Sequence, residues 1–200
     1  MCVKRHYTFH TEYQMELSFL MAGFGGQGVQ TLGKVLAYAA NEAECYTTFL
    51  PEYGGAMRGG TSNCTVVISD KPIASPARRS YNYVVALNSP SFEKFKCSVL
   101  PDGFIIVNSS LVECSDEQYR DKIIKIPAND LANRAGSMMT LGVVMIGFIV
   151  AYTGVIPTDE ARKQTIKRLS KKAQYLEMNE KAFDYGMEFA MNMKASHSES

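Results

Sequence analysis

The 200-residue, 22.2 kDa chain is 46% hydrophobic, enough for one domain that buries roughly 70% of its unfolded surface and too little for a second. It carries 21 Lys+Arg against 20 Asp+Glu, a formal net charge of +1, with no basic run interleaved with aromatics; this excludes the electrostatic footprint of a nucleic-acid binder. Five cysteines, Cys2, Cys45, Cys64, Cys97 and Cys114, are odd in number and never spaced C-x-x-C, against a disulfide framework, a zinc site or a locally encoded iron–sulfur cluster and in favour of reduced thiols in the cytoplasm.

Met1 to Gln14 lack the apolar core of a secretory signal and read as an N-terminal arm (1–15). Leu17–Ala22 is a short apolar run stopped by Gly23, the pattern of a buried strand. Val29, Leu32, Val35, Leu36, Ala39 and Ala40 then recur at helical spacing. Further strands are expected at Cys45–Leu50, Asn63–Ser69, Tyr83–Leu87, Phe104–Val107 and Ile123–Ile126, with a short crossover helix over Ser91–Val99. Asp130–Tyr152 reads as one long apolar helix. Within it and beyond, Met138–Ile156 is 19 residues without a charge, close to membrane-spanning length; its glycines and polar flanks favour a helix buried against a sheet or a partner, a candidate homodimer surface, with Gly142 and Gly147 permitting close approach. Thr158 is the expected N-cap of the next helix, with Asp159 and Glu160 in its first turn. Ala182, Tyr185, Gly186, Phe189, Ala190 and Met193 share one face of a last helix, followed by a frayed tail (194–200). The order of elements predicts one α/β domain over 16–193, a three-layer sandwich with a mostly parallel sheet and a helical C-terminal third.

Gly23-Phe24-Gly25-Gly26-Gln27-Gly28 spells G-x-G-x-x-G after a strand and before a helix. Residues without a Cβ let the backbone turn sharply and aim several N–H groups, with the positive helix end, at a phosphate or carboxylate. The same glycines could serve tight strand-to-helix packing alone. An NAD(P) site would want an acid at the end of the second strand, where Glu52 follows Pro51 in a glycine-rich loop. Gly28 to Lys34 also spells G-x-x-x-x-G-K, yet Val35 stands where a phosphate loop needs a hydroxyl. A second loop, Pro51 to Thr61, surrounds Arg58 with four glycines, suited to gripping an anion. Gly23, Gly25, Gly26, Gln27, Gly28, Tyr53, Arg58, Gly59, Gly60 and Thr61 are therefore the candidate binding residues. No catalytic or metal-ligating set assembles: His6 and His10 lie in the arm and His197 in the tail.

In this order and spacing, Gly23–Val29 and Tyr53–Cys64, with Ser69-Asp70-Lys71-Pro72-Ile73, Asn88-Ser89-Pro90-Ser91, Val107-Asn108-Ser109-Ser110 and Leu141-Gly142, resemble the gamma subunit of the 2-oxoacid:ferredoxin oxidoreductases over nearly all of Glu16 to Met193. The resemblance implies a Rossmann-like domain in a cytoplasmic complex with alpha, beta and delta chains. There, a 2-oxoacid and coenzyme A give acyl-CoA and CO₂ while electrons pass to ferredoxin. It places thiamine diphosphate and the iron–sulfur clusters on partner chains and leaves to this one packing and a part in coenzyme A binding or in closing over the active site, with the turn at Gly25–Gly28 and Arg58 meeting phosphates or a neighbouring subunit. Gly55-Ala56 stands where relatives carry Pro-Glu, and Ser137-Met138 where they carry Asn-Met. The competing readings are a stand-alone NAD(P)-dependent dehydrogenase and a structural module that binds nothing.

Overall fold

A computed structural model describes residues 15–53, 61–114, 116–170 and 172–198. The N-terminal arm and the loop holding Arg58, Gly59 and Gly60 lie outside them. Six strands form one sheet: β1 (Glu16–Phe24), β2 (Tyr46–Tyr53), β3 (Thr61–Ser69), β4 (Tyr81–Ala86), β5 (Val99–Asn108) and β6 (Ile123–Ile126), in the order β2-β3-β1-β4-β5-β6. β1, β4, β5 and β6 pair in parallel, and β3 alone runs against its neighbours β1 and β2. Every expected strand is present, most of them longer than the apolar run that announced them.

The unbroken apolar runs have a direct cause: both faces of the sheet are covered. Phe19, Met21, Val85 and Ile106 point into one core with α1 (Val29–Glu42) and the C-terminal helices. Leu20, Val84, Ala86, Ile105 and Val107 point into the other with Phe92 of α2 (Ser89–Phe95). Adjacent residues thus serve opposite cores, and neither face of these strands needs a polar side chain.

The expected long helix over 130–152 is two helices. α3 (Ala128–Ala135) stops at Gly136, whose φ of +114° is the left-handed conformation that ends helices. Ser137 then opens a 3₁₀ turn (Met138–Thr140), its Oγ accepting from the Met139 N–H at 3.2 Å, before α4 (Leu141–Thr153) begins. α4 is apolar on every side and is covered by α1, α3, α5 (Thr158–Leu169) and α6 (Leu176–Ser198) of the same chain. The helix is buried, as its composition requires, and by its own chain; among the described residues no helix is long and apolar enough to cross a membrane. A Cβ on Gly147 would overlap the Phe183 carbonyl oxygen, and one on Gly186 the Val144 carbonyl oxygen, so two glycines set the α4–α6 separation. Gly142 has nothing within 4 Å and takes no part in it.

Two C-terminal boundaries differ from expectation. Pro157 precedes α5 and Thr158 is its first helical residue, not its cap, because the Pro157 carbonyl already accepts the Ala161 N–H at 3.0 Å. α6 continues through the expected tail to Ser198; Lys194 Nζ donates to the Ala151 carbonyl at 3.0 Å. Arg162 on α5 clasps Asp184 on α6 with two hydrogen bonds, 2.8 and 3.1 Å.

Candidate functional site: a glycine turn facing a helix start

β1 ends at Phe24, whose carbonyl accepts the Gln27 N–H at 3.1 Å to close the turn. Gly26 (φ +99°) and Gly28 (φ +76°) occupy left-handed backbone that side-chain-bearing residues resist, and space is open around Gly25, Gly26 and Gly28. Gly28 precedes α1 with no side chain capping it. The helix ladder begins with the Leu32 N–H on the Gly28 carbonyl at 2.8 Å, leaving the first-turn N–H groups directed outward. No acid lies in that turn. Gly23 differs from the other glycines: a Cβ there would meet Gln27 Oε1 and Val29 Cγ2 at 2.8 Å, so it serves packing.

Gln27 folds back onto the protein. Its Oε1 accepts from the Phe24 backbone N–H and from Asn88 Nδ2, each at 2.7 Å. The ends of β2 and β3 lie beside this turn: Thr61 pairs with Phe24 and Tyr53 with Ser62. Gln30 on α1 fixes that hairpin by donating to Ser62 Oγ at 3.0 Å and to the Asn63 carbonyl at 2.9 Å. Glu52 lies within β2, not in the loop, and its carboxylate accepts from Asn63 Nδ2 at 2.5 Å. Lys94 of α2, which the sequence did not single out, reaches Thr61 Oγ1 at 3.2 Å and brings a cation to this rim. Lys34 of the phosphate-loop-like string sits by Tyr38, 5.9 Å from its ring centroid, in a separate groove with Asn41, Thr47 and Phe49.

The turn forms one wall of a pocket of about 370 Å³. Opposite stands the Ser137–Gly142 segment that opens α4, a second helix start. The floor is apolar, with Leu32, Leu141, Ile146 and Met178, and among the described residues none that lines it carries a charge. At the mouth Met139 is 78% exposed and Met138 is partly so. Sequence reasoning missed this wall as a site, although Gly136-Ser137 is a stop followed by a cap. Such a pocket can receive an anion on backbone dipoles and shelter an apolar body, and none of the described residues lining it is a carboxylate, histidine or lysine. Burial pushes the Cys64 thiol up to about 12 and raises Cys45 and Cys114 as well, so these stay protonated at neutral pH. Among the described residues no three His, Cys, Asp or Glu side chains gather to hold a metal ion.

A family model described as pyruvate ferredoxin/flavodoxin oxidoreductase matches residues 18–189. The ketoisovalerate oxidoreductase subunit VorA of Methanothermobacter thermautotrophicus is 35% identical over 88% of this chain, which spans only 36% of that relative. The 2-oxoglutarate synthase subunit KorC of Methanothermobacter marburgensis is 33% identical over 88% of this chain and 98% of its own length. The crystal structure of the keto/oxoacid ferredoxin oxidoreductase gamma subunit of Geobacter sulfurreducens superposes with a TM-score of 0.77 at 27% identity, covering 89% of this chain and 98% of that one. With the matching model covering most of the sequence and the fold shared, the chain belongs to the pyruvate ferredoxin/flavodoxin oxidoreductase family.

Proposed function

We propose that this chain is the gamma-type subunit of a 2-oxoacid:ferredoxin oxidoreductase. Alpha and beta chains hold the thiamine diphosphate, and beta or delta chains hold the clusters that pass electrons to ferredoxin. This chain contributes packing surface and the turn that receives the phosphates of coenzyme A. The observation that carries the reading is the pocket itself: a bare glycine turn and a second helix start face each other at the carboxyl rim, with no charged side chain among the described residues that line it. Gly25, Gly26 and Gly28 offer the open backbone; Tyr53 and Thr61 end β2 and begin β3 beside it, and Arg58, Gly59 and Gly60 between them are assigned to the site from the sequence. The NAD(P) reading gains no support from Glu52, which lies within β2 with one carboxylate oxygen accepting from Asn63.

The test is to assemble the complex and measure ferredoxin reduction dependent on a 2-oxoacid and coenzyme A. Gly25→Asp introduces a charge without a clash, since a Cβ there meets nothing within 4 Å. At ~6 Å from a bound phosphate and an effective dielectric of ~40, one unit of repulsion is about 1.4 kcal/mol, so KM for coenzyme A rises about tenfold. Full activity of an alpha, beta and delta assembly without this chain, or an unchanged KM in Gly25→Asp, overturns the proposal.

A further inference from the structure

The chain leaves β1 for α1 on one face of the sheet and β4 for α2 on the other, so the winding reverses between these two adjacent strands. A doubly wound sheet opens its ligand crevice at such a point. Here that place holds the Gln27 side chain. Its Oε1 takes two convergent donors, the Phe24 N–H and Asn88 Nδ2, as an oxygen of a bound phosphate or carboxylate would. Its Nε2 faces the Leu87 carbonyl at 3.5 Å. The same carbonyl lies 3.4 Å from Asn108 Nδ2, which also donates to Asn129 Oδ1 at 2.9 Å, while Asn108 Oδ1 accepts the Ala128 N–H at 3.2 Å. Asn88 and Asn108 are almost wholly buried. Asn129 belongs to α3, and α3 ends at the Gly136 turn from which the Ser137–Gly142 wall starts. A chain of amides therefore runs from the glycine turn to the first turn of α3, the helix whose far end leads into the other wall.

We propose that Gln27 is a positioning residue that stands in for a ligand oxygen at the winding reversal. It closes that crevice and, through Leu87, Asn108 and Asn129, fixes the glycine turn relative to the start of α4, so that an anionic ligand is received only on the α1–α4 side. The identity of that ligand as coenzyme A rests on the function proposed above; the closed crevice does not. Removing Gln27 leaves two donors without an acceptor and frees the turn to shift.

In the assembled complex, Gln27→Ala raises KM for coenzyme A about tenfold, with a much smaller change in kcat. Acetamide, which can refill the space with an amide oxygen, lowers the KM of the variant again and leaves the native complex unmoved; loss of structure alone is not restored in this way. An unmoved KM in Gln27→Ala alongside a raised one in Gly25→Asp overturns the positioning role and spares the subunit function. An unmoved KM in both overturns the two together. Should Gln27→Ala fail to assemble, hydrogen exchange of the Phe24 amide in the native complex decides: slow exchange supports the clamp, and exchange at the rate of a free amide overturns it.

Discussion

Gly142 and Gly147 lie on the same helix, and the same substitution in each is expected to move stability in opposite directions. Glycine in a helix interior costs about 1 kcal/mol relative to alanine. At Gly142 a Cβ meets nothing within 4 Å, so Gly142→Ala keeps most of that gain and raises Tm by about 2 °C. At Gly147 the new Cβ overlaps the Phe183 carbonyl oxygen and stands 3.1 and 3.2 Å from the Phe183 carbonyl carbon and Cα. All three are backbone atoms of α6, so no rotamer change relieves them and the helices must part. Their contact holds Phe148, Ala182, Phe183 and Ala190, all wholly buried, and overpacking of such a site costs ~3 kcal/mol or somewhat more. After the propensity gain, Gly147→Ala is destabilised by about 2–3 kcal/mol, a fall in Tm of about 4–12 °C for a domain of this size. Thermal unfolding of both variants followed by circular dichroism at one pH measures the difference. Equal shifts, or a Gly147→Ala protein at least as stable as the native one, would refute the close α4–α6 approach.

Iodoacetamide at pH 8 should modify exposed Cys97 first among the described cysteines, with Cys64 protected until unfolding because it is buried beneath α1 with its pKa pushed up to about 12; peptide mass analysis showing early Cys64 labelling contradicts this. Hydrogen bonds from Lys96, Gln164 and Lys181 hold Asp116, Glu160 and Glu177 below the ordinary carboxylate range. Their stabilisation is fully present above the unfolded pKa near ~4 and fades as pH falls through the depressed folded values, so Tm should decline in acid, and less steeply in Asp116→Asn. A decline of equal slope in that variant would count against the Lys96 pairing. Gln30→Ala leaves the Asn63 carbonyl and Ser62 hydroxyl without their donor, and should cost about 1–2 kcal/mol in a denaturant titration; no change would mean that the α1 end does not anchor the β2–β3 hairpin.

Strand positions were legible because covering the sheet on both faces demands apolar residues at every position, as in Val84, Val85 and Ala86. The glycine turn was legible because Gly26 and Gly28 occupy backbone that other residues resist. The break between α3 and α4 was written in Gly136-Ser137 yet hidden within a continuous apolar stretch. Thr158 resembled a cap, but the Pro157 carbonyl already accepts the first helical bond.

By itself the sequence determined the six strands, most of the helices and where glycines let the backbone turn sharply. These are local properties of side-chain size, period and backbone freedom. Only the tertiary structure decided that Gln27 fills the crevice at the winding reversal, that α4 is buried by its own chain, and that the glycine turn faces Ser137–Gly142 across a pocket. Each joins residues far apart in the chain, whose meeting depends on strand order and helix packing, and neither is encoded in any one stretch of residues.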